Sequence, residues 1–371
     1  MKLKEQLKIA VGMSGGVDST MAAYILKNKG HEVVGITMRI WAGEGTAQEA
    51  VRSGCFGPGE VYDTRIAQSV CERLGISHHI VDLTQEYRSS VLDTFSHEYL
   101  GGRTPNPCVL CNPLVKFGAL LDKASNLGID FDLFATGHYA RIMHDKKLKR
   151  FLLKKAVDQK KDQSYFLYRL GQSQLERSIF PLGEYTKEQV KALAVQAGFS
   201  DIAEKPESQD FIDGGIYGSL FSENERAKGE IIDPDGKVLG FHEGIINFTI
   251  GQRKGISIGG SKEPLYVLRI DAQKNQVVVG PREQLAVDEL TAVFPNWIAF
   301  KTLDAKLEAF ARLRSHQKEV PCVISPVNDN AVKVRFLLPQ YSATPGQSIV
   351  FYIADMVLGG GIIQATHKLL E

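Results

Sequence analysis

Two short stretches hold the residues whose types and spacing could do chemistry. In Thr104-Pro105-Asn106-Pro107-Cys108-Val109-Leu110-Cys111-Asn112, two thiols stand three positions apart behind a pair of prolines. Ser14-Gly15-Gly16-Val17-Asp18-Ser19 is a glycine-rich run between the apolar residues 8–13 and the helix-like TMAAYILKNKG that Gly30 ends. Such a turn lets backbone N–H groups converge on a phosphate at the positive end of the helix. It lacks the lysine of a Walker A loop and the spacing of a dinucleotide fingerprint, and a plain tight turn is the ordinary alternative. For the thiol pair, structural zinc would need four ligands, and no second CxxC or HxxxH is present. A thioredoxin-like pair would need flanks that are absent. The pattern favours a nucleophile or a ligand. A helix expected from about residue 113 would put both thiols near its N-terminus, where a thiolate is stabilised.

The elements that must position these residues alternate. Strand-like runs at 8–13, 32–40, 78–83 and 132–140 are separated by helical patterns such as DTRIAQSVCERLG and PLVKFGALLDKASNLG. That alternation predicts an α/β fold with a doubly wound parallel sheet and a ligand site at the carboxyl ends of its strands. Residues 41–59 form a glycine-rich loop, long enough to be functional, that contains Cys55. Thr186 and Gln189 stand at capping-box spacing before a helix that Gly198 stops. After about residue 205 the chain turns to short strands and many glycines. From about 285, four strand-like runs with turn signals at Asn328-Asp329-Asn330 and Pro345-Gly346 predict a small antiparallel barrel. The expected division is 1–204, 205–284 and 285–371.

Composition narrows the class. At 371 residues and 43% hydrophobic content the chain can bury more than one core. It has neither a signal-like h-region nor an apolar run of membrane-spanning length, so a cytoplasmic protein is expected. The odd set of five cysteines argues for reduced thiols. Cys71, at helical spacing with Ala67 and Leu74, and Cys322, in a strand-like run, are expected in the core. The net charge of +1 hides a cluster from Lys146 to Lys161 that could neutralise RNA phosphates or simply form a solvated hairpin.

The run Gly12-Met13-Ser14-Gly15-Gly16-Val17-Asp18-Ser19 resembles the PP-loop of ATP pyrophosphatases, which release pyrophosphate from ATP while adenylating a substrate. Further motifs follow in order: GRTPNPxxxCN at 102–112, ATGHYAR at 135–141, KDQSYFLY at 161–168, TIGQRKG at 249–255 and TPGQSIVFY at 344–352. Together they resemble the bacterial tRNA-specific 2-thiouridylase family, which replaces the C2 oxygen of the wobble uridine with sulfur. The resemblance implies a PP-loop ATP pyrophosphatase domain, a small mixed central domain that contacts tRNA, and a C-terminal antiparallel β-barrel. It implies ATP contacts at Gly12, Met13, Ser14, Gly15, Gly16, Val17, Asp18, Ser19, Met38 and Gly137, with Asp18 catalytic and bringing in Mg2+. Asn106, Pro107 and Cys108 would lie against the target base. Further tRNA contacts are implied at His138, Lys161, Asp162, Gln163, Arg312, Arg314 and Gln340. Implied partners are the wobble-uridine tRNAs for Lys, Glu and Gln and a sulfur donor such as a cysteine desulfurase or sulfur-relay protein.

The chain departs from the family pattern twice. Cys108 stands where the family usually has Asp, and the second catalytic cysteine, expected near residue 212, is missing from KPESQDFI, which ends in Ile212. One reading makes Cys111 the nucleophile and Cys108 its partner in a persulfide relay. The other, favoured because it explains the lost and the gained cysteine together, has Cys55, Cys108 and Cys111 hold a 4Fe-4S cluster whose open iron binds hydrosulfide. Two functions of other classes stand beside these. One is a PP-loop enzyme that transfers nitrogen to a small molecule, which would need neither the CxxC nor the basic stretch. The other is a tRNA-binding paralogue without thiolation activity.

Overall fold

The computed structural model describes residues 6–43, 54–206, 211–212, 220–256, 258, 263–341 and 343–367. It divides into two compact units: Met1–Ser90 with Cys108–Tyr217 and Asp355–Val357, and Val91–Pro107 with Gly218–Ala354 and Leu358–Glu371. No described helix is long and apolar enough to cross a membrane.

In the first unit the apolar runs become β1 (Lys8–Gly12), β2 (Glu32–Arg39), β3 (Ser77–Asp82), β4 (Leu133–Ala135) and β7 (Ser178–Ile179). They form one sheet in the order β3-β2-β1-β4-β7, every pairing parallel. Ile9, Ala10 and Val11 of β1 are wholly buried, because a parallel strand is covered on both faces and so reads as an unbroken apolar run. Helix α1 (Val17–Asn28) and helix α2 (Gly59–Leu74) pack there through Met21, Ala22, Leu26, Ala67 and Val70. Full burial of a side chain such as Met21 or Leu26 contributes roughly 1.5–3 kcal/mol. Cys71 lies in the same core, its thiol pushed up to about 12 by burial, with the charge of Glu72 adding. This is the packing role expected of it.

Two expected elements differ. The single strand expected at 132–140 breaks into β4 and β5 (Ala140–Asp145), because Thr136, Gly137 and His138 leave the sheet to form a wall of the cleft described below. Strand β5 pairs with β6 (Arg150–Lys155) in an antiparallel hairpin. Lys146, Lys147 and Lys149 are exposed at its tip, which Asp145 shapes by accepting from the Lys147 and Leu148 amides at 2.8 and 3.0 Å. The helix expected from about 113 begins earlier. It starts as α3 (Pro107–Cys111), continues as a π-helix over Asn112–Ala119 and ends as α4 (Leu120–Asn126). Helix α5 (Lys187–Gln196) has the expected capping box: Thr186 Oγ1 accepts from the Gln189 amide at 3.2 Å, and Gln189 Oε1 from the Thr186 amide at 2.8 Å.

In the second unit a four-stranded sheet of β8 (Gly229–Ile232), β9 (Val238–His242), β10 (Tyr266–Asp271) and β11 (Gln276–Gly280) runs in the order β10-β11-β8-β9. It covers a small core of Ile231, Val267, Val277 and Val279. The barrel expected from the last third is present. β12 (Val287–Trp297), β13 (Leu307–Arg312), β14 (Val320–Asn328), β15 (Ala331–Gln340), β16 (Ser348–Ile353) and β17 (Met356–His367) follow the order β12-β15-β14-β13-β16-β17, and β12 pairs with β17 to close it. Closure removes the unpaired edges an open sheet would present. Cys322 is buried in β14, as expected.

Candidate nucleotide and sulfur site

The order β3-β2-β1-β4-β7 reverses between β1 and β4, so the loops that leave these two strands diverge and open a crevice at their carboxyl ends. That crevice is a cleft of about 330 Å³, lined by Gly12, Met13, Ser14, Gly16, Val17, Asp18, Ser19, Met38 and Gly137, nine of the ten positions expected to meet ATP. The tenth, Gly15, has φ +70° and turns the chain so tightly that a Cβ there would lie 2.5 Å from the Asp63 carbonyl. Helix α1 begins at Gly16 without a side-chain cap, which leaves its first amides available to an anion. Ser19 braces the turn, its Oγ accepting from the Ser14 amide at 3.2 Å and donating to the Gly16 carbonyl at 3.1 Å. Gly137 must be glycine, because a Cβ would meet the Asp18 carbonyl carbon at 2.7 Å and the Ser19 amide at 2.8 Å.

Asp18 differs from expectation. Both its carboxylate oxygens receive the Lys187 ammonium at 2.8 Å, and Oδ1 also receives the Tyr139 hydroxyl at 2.8 Å. A carboxylate so neutralised by a buried lysine is not set up as a bare Mg2+ ligand. The pair ties the first turn of α1 to the first residue of α5.

Cys108 and Cys111 lie one turn apart on α3, within the Cα separation that disulfides use. Burial, with the charges of Cys55 and Cys111 adding, pushes Cys108 up to about 12, and burial pushes Cys111 up to about 11, in both cases against the opposing Lys116 charge. Beyond them the π-helix is held by Gln174, whose amide donates to the carbonyls of Pro113 at 2.8 Å and Phe117 at 3.0 Å. Phe117 packs on His138, whose Nδ1 lies 2.7 Å from the Thr136 hydroxyl. Burial, and after it the Lys116 charge, hold the His138 imidazole neutral at physiological pH.

Residues 7–212 match the family model described as the tRNA methyl transferase HUP domain, 220–281 the tRNA methyl transferase PRC-barrel domain and 287–363 the aminomethyltransferase beta-barrel domain. The tRNA-specific 2-thiouridylase MnmA 2 of Thermoanaerobacter sp. (strain X514) is 47% identical over 367 residues, which span 97% of this chain and 99% of that protein. MnmA of Acetivibrio thermocellus is 46% identical over 362 residues, 96% and 99% of the two chains, and MnmA of Endomicrobium trichonymphae 46% over 364, 97% and 100%. The chain belongs to the tRNA-specific 2-thiouridylase family.

Within this 2-thiouridylase family chain the residues expected to touch tRNA fall into two groups. Lys161, Gln163, His138 and Arg314 are at least partly accessible, and Gln163 and His138 line the cleft. Asp162, Arg312 and Gln340 are buried and bonded within the fold. Asp162 accepts from the Ala156 amide at 3.1 Å and the Ser164 hydroxyl at 2.9 Å, and Arg312 pairs with Glu319 at 2.8 Å. Gln340 donates to the Leu338 carbonyl at 2.8 Å. Asn106 and Pro107 directly precede Cys108, in a segment that TPGQ fastens within the second unit. Thr104 donates to the Pro345 carbonyl at 2.9 Å, and Gln347 to the Thr104 carbonyl at 2.8 Å.

Of the three thiols expected as cluster ligands, Cys55 stands near enough for its charge to act on both Cys108 and Cys111. Cys55 is exposed while Cys108 and Cys111 are half-buried, and among the described residues no three His, Cys, Asp or Glu gather around a point that could hold a metal ion. Residues 44–53 of the loop that carries Cys55 lie outside the described residues. Ile212, near which the family's second cysteine is expected, bridges in parallel to Phe56, and the Phe56 amide donates to the Phe211 carbonyl at 3.1 Å.

Sequence reasoning missed Glu60, Lys116, Lys187 and Lys205. Lys187 carried a signal: it is the first residue of a helix, where a cation opposes the helix dipole and requires a reason. Lys116 carried another, as a lone charge in the apolar run PLVKFGALL. Glu60 lines the cleft and accepts from the Ile40 and Trp41 amides; burial pushes its carboxyl up to about 7 despite those bonds. The folded protein thus holds the Glu60 proton more tightly than the unfolded chain. The resulting stability is fully present below pH 4.5 and is lost as pH rises through about 7. Denaturant midpoints at pH 5 and pH 8 are expected to differ by the equivalent of about 2 kcal/mol from this group, and Glu60→Gln is expected to remove that difference.

Proposed function

We propose that the protein is an ATP-dependent tRNA sulfurtransferase that replaces the C2 oxygen of the wobble uridine with sulfur. The observation that carries the reading is the cleft at the strand-order reversal, where the uncapped first turn of α1 faces Gly137 and His138. ATP bound there adenylates the C2 oxygen and releases pyrophosphate, which turns a poor leaving group into AMP. A sulfur nucleophile on Cys111 then completes the exchange. The terminal sulfur of a Cys111 persulfide attacks C2, and the C–O bond to AMP breaks. Cys108 next attacks the Cys111 sulfur, so the S–S bond to the substrate breaks, a Cys108–Cys111 disulfide forms and the sulfur stays on C2. An external dithiol must reduce that disulfide before the next cycle.

The wobble base must leave its stack to reach such a pocket, so an extended RNA surface is required. The basic tip of the β5–β6 hairpin and the exposed Arg314 are suited to phosphates, and residues 205–284 and 285–371 supply the remaining contacts. The tRNAs are those for Lys, Glu and Gln, the sulfur comes from a cysteine desulfurase or relay protein, and the cytoplasm is the compartment.

The test is direct. The purified protein is incubated with unmodified tRNA, ATP, a persulfide donor and a dithiol, and the tRNA is digested to nucleosides for mass spectrometry. We expect 2-thiouridine at the wobble position with one AMP formed per sulfur. AMP formation without thiolated nucleoside would instead support the tRNA-binding paralogue, and no tRNA-dependent AMP at all would end the reading.

A further inference from the structure

The glycine-rich turn lacks the lysine that a Walker A loop brings to its phosphates, and a nucleoside triphosphate adds about four negative charges to whatever cleft receives it. The charges of the described cleft wall do not meet that need in an obvious way. Asp18, Glu60 and Asp63 are acidic; Lys116 and Lys205 are basic. The Asp18 carboxylate is matched by Lys187 and the Asp63 carboxylate by Lys205, so these four side chains cancel in pairs. Glu60 is about half protonated near neutral pH, and His138 is neutral. That leaves Lys116. Among the described residues its ammonium has neither a hydrogen-bond partner nor an ion pair, although it is half-buried in a cleft wall.

Its position follows from the helix that carries it. The i→i+5 bonding of a π-helix draws residues five apart onto a common face, and Lys116 stands five after Cys111. The segment is built to keep that geometry. Gln174 ties down two of its carbonyls, and a Cβ on Gly118 would lie 2.8 Å from the Pro113 carbonyl. Lys116 lines the cleft together with His138, and its charge acts on His138 and on both Cys108 and Cys111.

We infer that Lys116 is the phosphate-binding cation of the cleft: it takes the place a Walker lysine fills elsewhere and holds the nucleotide's phosphate chain on the side that faces Cys111. An unpaired ammonium in a partly desolvated wall binds an anion more strongly than a surface lysine does, since its own hydration is already reduced. The inference rests on the ATP half of the proposed function.

Calorimetric titration of the full chain with ATP and Mg2+, in the absence of tRNA, separates the two claims. With Lys116→Met we expect ATP affinity to fall about tenfold or more, and with Lys116→Arg, which keeps the charge, to stay within about threefold of wild type. Lys29→Met, which removes an exposed lysine outside the cleft lining, serves as a charge-removal control whose affinity should not fall. Affinity in Lys116→Met within twofold of wild type would overturn the inference, as would an equal loss in Lys116→Met and Lys116→Arg, which would mark the lysine as a packing residue. ATP binding that depends on Lys116 in a protein that never thiolates tRNA would leave this inference standing while the functional reading fell.

Discussion

Cys111→Ala is expected to lower the rate of tRNA thiolation by at least about 1,000-fold while tRNA-dependent AMP formation continues. In the proposed mechanism the two half-reactions use different parts of the first unit. The nucleotide cleft is lined by the loops after β1 and β4, and Cys111 is absent from that lining. Removing the thiol should therefore take away the proposed sulfur carrier and leave the cleft lining intact. Cys108→Ala should act later. Its Cys111 persulfide still attacks C2, but nothing then breaks the bond between Cys111 and the transferred sulfur, so a reducible protein–tRNA adduct should accumulate on non-reducing gels. Full thiolation by Cys111→Ala would remove both the relay and any role for the pair. A relay whose loss on Cys55→Ala equals the loss on Cys111→Ala would bring the exposed third thiol into the mechanism.

The second large effect belongs to Lys187. Its ammonium is buried, 5% exposed, and both Asp18 oxygens lie 2.8 Å from it. Lys187→Met leaves the Asp18 carboxylate without its counter-charge, a change that costs about 3 kcal/mol when one partner of a buried pair is removed. It also sets a bare negative charge beside the amides that must receive phosphate, so ATP affinity should fall along with stability. The double variant Asp18→Asn with Lys187→Met has no unpaired charge and should recover most of the stability seen in urea midpoints. Recovery of stability without recovery of AMP formation would assign Asp18 a role beyond the pair. A single variant as stable as wild type would show that the pair contributes nothing net.

How much of this could be read beforehand depended on the range of the interaction. Strand–turn–helix at 8–30, the capping box at Thr186 and Gln189, and the barrel strands from 287 are written in spacings of a few residues, and the structure has them. The cysteines divided in the same way. Cys71 and Cys322 were legible as core from their apolar periodicity, because burial follows from period alone. The protonation of Cys108 and Cys111 was not legible. Burial raises a thiol's pKa, and how far each thiol is buried, and that Cys55 and Lys116 stand near, is set by tertiary packing.

The sequence by itself determined the order of elements, the glycine turn that leaves amides at the head of α1, the thiol pair and the absence of a cysteine at 212. Each of these is a property of residue type at short spacing. The tertiary structure decided the partners. Lys187 neutralises Asp18 from 169 positions away, Ile212 occupies the place beside Phe56, and Lys116 is left as the unmatched charge of the described cleft wall. Charge and burial are properties of an assembled environment, set by residues distant in the chain, and no local pattern encodes which of them will meet.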